Sequence, residues 1–350
     1  HDFIFRLCKF VARLEFILLF HFSERFLMEM FLQILLLVLG FVMLVKGADW
    51  FVDGAASIAS KFGIPQLVIG LTIVAMGTSA PEAAVSITAA FAGNADITIG
   101  NNVGSNILNI LIILGLTALI HPCSIQKSTL AIDIPVTIFA SALLLVLGLD
   151  GNITRLDAII MLIVFVSYLT YLLISAKKER AATLQSEQKE SSVSEQTEET
   201  QIKEMSLLKA ILFTLIGLVL IIAGSKFVVY SASFIATKLG LSTRFIGLTI
   251  VALGTSLPEL FTSVTAAMKK NSDIAIGNIV GSNLFNILFV VGLSGLIIPV
   301  PFAPEFRFDT IVSGIAAIAL LLFCLPKKKL PRFAGAIFLI SYALYFIKIW

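Results

Sequence analysis

The chain has 350 residues, of which 58% are hydrophobic and 13% charged, with a formal net charge of +3. A soluble domain carries roughly a quarter of its residues as charges, and at a mean hydropathy of +1.00 this chain is too apolar to be one. Its apolar runs approach the roughly twenty residues that a helix needs to cross a hydrocarbon core. They lack the alternation of a membrane barrel, so the spans are expected to be helices. Cys8, Cys123 and Cys324 are widely spaced, with no CxxC pair. That argues against a zinc site or a disulfide framework and for small hydrophobic filler.

Residues 1–27 carry Arg6, Lys9, Arg13, Glu15 and Arg25 among apolar residues. They are too charged to span and lack the small-residue cleavage site of a secretory signal. They are expected to be a leader, either an interfacial amphipathic helix or residues ahead of a true start at Met28 or Met30. Five spans follow, at Phe31–Val52, Pro65–Phe91, Ile97–Ile120, Thr129–Leu147 and Leu156–Ser175. The polar segment 177–205, rich in Gln, Ser, Thr and Glu, reads as a disordered linker. Five more spans are expected at Leu207–Val228, Thr243–Met268, Ile274–Ile297, Thr310–Leu325 and Arg332–Ile349. Lys61, Lys127, Lys177, Lys178, Arg180, Lys269, Lys270, Lys327, Lys328, Lys329 and Arg332 fall in loops on the linker's side. The excess of basic residues there predicts a cell-membrane protein with a cytoplasmic linker and both termini outside.

The halves repeat. GLTIVAMGTSAPE at Gly70–Glu82 returns as GLTIVALGTSLPE at Gly247–Glu259, and DITIGNNVGSNILN at Asp96–Asn109 returns as DIAIGNIVGSNLFN at Asp273–Asn286. Both offsets are 177, and Gly40 with Gly217, Gly63 with Gly240 and Gly115 with Gly292 keep that register. The units are a first repeat, 31–176, and a second, 206–350. Each holds five spans, an odd number, so the second copy enters from the opposite side. The predicted fold is an all-α integral membrane protein with ten transmembrane helices as two inverted five-helix repeats. Inverted repeats with interrupted helices are common in secondary transporters, whose substrate sits at the repeat interface.

Glu82 and Glu259 lie deep in apolar spans, where a carboxylate is costly unless it is paired. No Lys, Arg or His is expected beside them at that depth, which leaves a bound cation as partner. Pro81 and Pro258 lack an N–H, and their rings clash with the carbonyls of Gly77 and Gly254. A helix break there would free carbonyl oxygens, tolerated at membrane depth where they line a cavity. Thr72, Ala75, Ser79, Glu82 and Ser86 share one helix face, as do Thr249, Ala252, Ser256, Glu259 and Ser263. Asn101, Ser105 and Asn109 form a second face, matched by Asn278, Ser282 and Asn286. Asn101 and Asn278 could serve as ligands or as interhelical hydrogen-bonding residues. Hard oxygen donors favour Ca2+, Mg2+, Na+ or K+. A flexible cage of six to eight oxygens suits Ca2+ better than Mg2+. Two carboxylates left without Ca2+ repel each other and call for another cation, Na+ or H+, so exchange is expected.

At GTSAPE (Gly77–Glu82), GTSLPE (Gly254–Glu259) and the two GSNxxN motifs (Gly104–Asn109 and Gly281–Asn286), the sequence resembles the Ca2+/cation antiporter superfamily, in its bacterial and archaeal Na+/Ca2+ exchanger branch. The resemblance covers residues 31–350. It implies Ca2+ ligation by Glu82 and Glu259 with the Thr78 and Thr255 carbonyls. Ala75, Ser79, Ser105, Asn109, Ala252, Ser256, Ser282 and Asn286 would line Na+ or shared cation positions. It also implies that the first and sixth spans slide past a fixed core, and Gly40, Gly47, Gly217 and Gly224 would favour that sliding. One position departs: several exchangers have Asp where this chain has Asn286, one negative charge more, which bears on the Na+ count and the counter-ion. The H+/Ca2+ exchangers of the superfamily are the alternative, although their signature is closer to GNAxE. A cation channel is the rival from another class. Ser79 and Ser105 have no base within their motifs, so no enzyme is expected. The expected partners are the bilayer and inorganic cations, with no cofactor, nucleic acid or protein partner implied.

Overall fold

The computed structural model describes residues 2–189, 205–240 and 252–349, by backbone alone at 2–27, 96, 179–189, 252 and 349. Helix α1 runs Asp2–Phe62 without interruption, so the expected leader continues the helix of the first span. A bent pair follows, α2 (Gln66–Thr78) and α3 (Ala80–Phe91), then α4 (Ile97–Ile120), α5 (Thr129–Asp150) and α6 (Arg155–Lys189). The second half comprises α7 (Leu207–Lys238), α8 (Ala252–Thr255), α9 (Leu257–Met268), α10 (Ser272–Ile297), α11 (Pro304–Cys324) and α12 (Arg332–Ile349). Among the described residues seven helices are long and apolar enough to cross a membrane, and the bent pair makes an eighth. The expected span Thr243–Met268 lies partly outside the described residues, as does most of the linker 177–205.

Several boundaries move, each for a local reason. The apolar parts of α1 and α7 reach Phe62 and Lys238, giving spans of 35 and 32 residues. Sequence hydropathy ends them near Val52 and Val228, where Asp53 and polar residues begin. The helices continue because Ala55, Ala56, Ala59, Ser231 and Ala236 stay buried. Spans that exceed about 20 residues must tilt. Helix α6 runs past Ser175 to Lys189 because Lys177–Lys189 is rich in Ala, Lys, Glu and Gln, all good helix formers. Helix α11 begins at Pro304, ahead of Thr310, with Pro in the first turn and Glu305 beside the helix N-terminus.

The 177-residue register reappears in space. Of its most apolar 18 residues, α10 buries 94% against 17% for α1 and 28% for α7, so α10 is central and the other two are peripheral. Helices α1 and α7 cross antiparallel through glycines: Gly40 faces Gly224, Gly47 faces Gly217, and Gly54 faces Thr214. A Cβ on Gly47 would lie 2.9 Å from the Gly217 carbonyl oxygen, so only glycine permits this approach. Two short antiparallel ladders cap opposite ends. At the linker end β1 (Cys123–Ser124) pairs with β4 (Lys329–Leu330), and at the other end β2 (Asn152–Ile153) pairs with β3 (Val300–Pro301). The 177-residue register relates β1 to β3 and β2 to β4. These four two-residue strands depart from the all-α expectation.

Candidate cation site

The break falls where Pro81 places it. Helices α2 and α3 meet at 51° across Ser79, whose φ of −82° and ψ of 8° leave the helical region. Ser256 takes φ −89° and ψ 4° between α8 and α9, with Pro258 in the first turn of α9. Each break starts a new helix, and Glu82 and Glu259 sit in its first turn. There the positive end of the helix dipole favours a carboxylate. Both glutamates are 1% exposed, and they are close enough for each to feel the other's charge.

The halves contribute to each other's carboxylate. Ser79 Oγ donates to Glu259 Oε1 at 2.7 Å, and Ser256 Oγ donates to Glu82 Oε1 at 3.5 Å. Ser105 Oγ donates to the same Glu82 oxygen at 3.4 Å, whereas its counterpart Ser282 donates to the Ala75 carbonyl at 3.4 Å. Thr255 lies within reach of Glu82 and Thr78 within reach of Glu259. The Thr78 hydroxyl donates to Asn278 Oδ1 at 2.9 Å. The structure thus gathers Glu82, Glu259, Thr78, Thr255, Ala75, Ser79, Ser105, Ser256 and Ser282 in one place. The side chain of Ala252 lies outside the described residues.

Asn101 and Asn278 bind neighbouring helices. Asn101 Nδ2 donates to Ser86 Oγ at 3.0 Å and to the Glu82 carbonyl at 3.2 Å. Asn278 Nδ2 repeats this at Ser263 Oγ, 2.9 Å, and the Glu259 carbonyl, 3.4 Å. Asn109 and Asn286 bind partners that motif reasoning missed. Asn109 Nδ2 donates to Asn283 Oδ1 at 2.9 Å and Asn286 Nδ2 to Asn106 Oδ1 at 3.2 Å. Asn106 and Asn283 also donate to each other's carbonyls at 3.0 and 3.3 Å, across the contact between α4 and α10. Their signal was present as the third residue of each GSNxxN, but spacing along one helix cannot reveal a partner on another.

This network leaves a specific set of oxygens unpaired. Glu82 Oε2, Glu259 Oε2, Asn109 Oδ1 and Asn286 Oδ1 are buried without a hydrogen-bond partner. They form two pairs related by the 177-residue register. Each such atom costs about 1–3 kcal/mol, more for a charged one, and a cation held between the carboxylates would relieve the two glutamate oxygens. Among the described residues no three His, Cys, Asp or Glu gather as a metal site. Neutral hydroxyl, amide and carbonyl oxygens would have to complete a cage around the two carboxylates.

From this site a cleft of about 1060 Å³ opens between α3 and α7, from Pro81, Gly254 and Thr255 out to Ala92 and Thr237. Lys226 of α7 lines it. At the linker end the corresponding ground is shut. Lys269 Nζ, just beyond α9, lies 2.6 Å from both Asp49 Oδ1 and Asp53 Oδ1 of α1.

The model of the family described as "Sodium/calcium exchanger protein" matches residues 32–174 and 209–350 separately, one match per half. The chain belongs to the sodium/calcium exchanger family. It is 39% identical over 304 residues to the putative antiporter CaxA of Alkalimonas amylolytica, covering 87% of this chain and 93% of that one. It is 33% identical over 339 residues to the sodium/calcium exchanger MaX1 of Methanosarcina acetivorans, covering 89% and 97%. The solved sodium–calcium exchanger NCX_Mj soaked with zero Na+ and Ca2+ superposes with a TM-score of 0.77 at 31% identity, over 91% of this chain and 99% of that one. Members of the sodium/calcium exchanger family are multi-pass membrane transporters of Ca2+ and Na+, not enzymes.

Proposed function

We propose that the protein is a secondary active antiporter that exchanges Ca2+ for Na+ across the cell membrane. Ten helices, in two inverted five-helix repeats at 31–176 and 206–350, would alternate access to a midplane site built on Glu82 and Glu259. The observation that carries this reading is the symmetric set of unpaired buried oxygens, Glu82 Oε2, Glu259 Oε2, Asn109 Oδ1 and Asn286 Oδ1. Two carboxylates match the charge of one Ca2+. Ser79, Ser105, Ser256 and Ser282, with the Thr78 and Thr255 carbonyls and the positions of Ala75 and Ala252, would supply the neutral oxygens and small gaps that Na+ ions use when they replace it. The orientation with the linker cytoplasmic and the termini outside rests on the basic residues of the linker-end loops. On that orientation the cleft between α3 and α7 faces outward.

The test is reconstitution in vesicles with Ca2+ uptake followed under an imposed Na+ gradient. Uptake driven by Na+ and lost in Glu82→Gln supports the exchange and its site together. Uptake driven only by a pH gradient moves the protein to H+/Ca2+ exchange, and flux that needs no counter-ion makes it a channel.

A further inference from the structure

We propose that Lys226 is a selectivity-determining residue of the exchange, one whose ammonium weakens capture of cations through the open cleft, and divalent cations most. The inference deepens the exchange reading given above and rests on it.

Lys226 belongs to the apolar span Leu207–Lys238. A charged side chain inside such a span is costly, and it persists where it faces a hydrated cavity or a partner. Lys226 lines the cleft of about 1060 Å³ together with Ser225, Tyr230, Ser233 and Thr255. Among the described residues the lining includes no carboxylate, so the ammonium gives the passage a positive wall. The cleft also reaches the site itself. Ser225, the preceding residue, donates its hydroxyl to the Gly254 carbonyl at 2.6 Å, at the break of the second GTSxPE motif. Thr255 is both a wall residue and a neighbour of Glu82. A cation travelling to the glutamates by this route therefore passes the Lys226 ammonium.

The repeat makes the choice of residue meaningful. Counting back 177 positions from Lys226 gives Asp49, so equivalent places in the two halves carry opposite charge. At the linker end Asp49 and Asp53 face Lys269, an excess of one negative charge. At the cleft end the same ground holds Lys226 and Tyr230. These equivalent positions carry a net negative charge at the linker end and a positive charge at the cleft end, although the central ligands are nearly identical.

The consequence for selectivity follows from electrostatics. A fixed potential acts on an ion in proportion to its charge, so its effect on a dissociation constant is squared on going from a monovalent to a divalent ion. A potential that weakens Na+ binding by about 3-fold weakens Ca2+ binding by about 9-fold. Lys226 thus weakens capture of a Ca2+ ion more than capture of any single Na+ ion and promotes discharge of Ca2+ there.

The experiment compares the full-length protein with Lys226→Gln, which removes the charge, and Lys226→Arg, which keeps it. Ca2+ and Na+ binding to the solubilised protein are measured by calorimetry. Half-saturating concentrations of each ion are measured from either face of oriented vesicles. In Lys226→Gln we expect Ca2+ binding to tighten by about the square of the factor for Na+, from the cleft face only, with Lys226→Arg close to the parent. Equal changes for the two ions, equal changes from the two faces, or the same shift in Lys226→Arg would overturn the proposal, since each points to packing and not charge. A parent protein that binds Ca2+ but shows no Na+-driven flux would sink the exchange reading, while the calorimetric comparison still judges Lys226.

Discussion

The two ends of the molecule begin from the same sequence repeat and finish differently. At the linker end Lys269 clasps Asp49 and Asp53 at 2.6 Å and draws α1 onto the end of α9. At the opposite end the positions 177 away are Ala92, Lys226 and Tyr230, which cannot form that clasp, and a cleft stands open between α3 and α7. The inequality reaches the centre. Ser79 lies 2.7 Å from Glu259, whereas Ser256 lies 3.5 Å from Glu82. A transporter of two equivalent halves must break its symmetry to open on one side at a time. Here a few non-equivalent side chains near the ends accompany that break, and the candidate ligands at the centre are of the same residue type in both halves.

The comparison can be broken most decisively at the glutamates. Glu82→Gln and Glu259→Gln should each reduce Na+-driven Ca2+ flux in vesicles by about 100-fold or more, since a buried charge that pairs with the ion is lost. A large difference between the two would show that the halves are unequal at the centre as well.

The serines give the next largest effect. A hydrogen bond to a carboxylate contributes about 1.5–3 kcal/mol, so Ser79→Ala should weaken Na+ binding by about 10-fold or more. Ser256→Ala, which removes a contact of 3.5 Å, should change it by only about 2- to 3-fold. Calorimetry on the two variants checks this, and equal effects would mean that the asymmetry at the centre carries no energy.

Packing supplies a third contrast. A Cβ on Gly281 would meet the Leu71 carbonyl oxygen at 2.5 Å and the Ala75 Cβ at 2.7 Å, whereas one on the equivalent Gly104 meets nothing within 4 Å among the described residues. Gly281→Ala should cost about 1–3 kcal/mol by overpacking and Gly104→Ala within about 0.5 kcal/mol, read as changes in Tm in detergent. A similar loss for Gly104→Ala would show the two faces to be equally filled.

The smallest effect is expected at the clasp. Its side chains are a quarter to two-fifths exposed, so Lys269→Ala should cost about 1 kcal/mol or less. That is still up to about a fivefold shift toward opening at the linker end, seen as faster hydrogen exchange in the last turn of α9. Unchanged exchange there would mean that the clasp decorates a closed end and does not hold it.

Much of this architecture was legible because it is local. The breaks at Ser79 and Ser256 follow from prolines that cannot donate a hydrogen bond. The burial of Glu82 and Glu259 was expected from the apolar runs around them, and the inverted relation of the halves is an expectation from an odd number of spans per repeat. The ends of α1 and α7 were misjudged because hydropathy registers Asp53 and the polar residues after Val228 as interruptions, while a helix with small residues on its buried face carries on. Asn101 and Asn278 were assigned two roles because an amide on one helix does not reveal its neighbour.

The sequence by itself determined the membrane class, the doubled motif, the two breaks and the chemical type of the candidate ligands, since each rests on composition or on spacing within one helix. Only the tertiary structure decided that Asn106 and Asn283 hold the centre together, that four particular oxygens remain unpaired, that Lys269 closes one end, and that Lys226 lines the open one. Those facts depend on contacts between residues up to 220 positions apart, and what two such side chains do to each other is settled by helix crossing, which no single helix encodes.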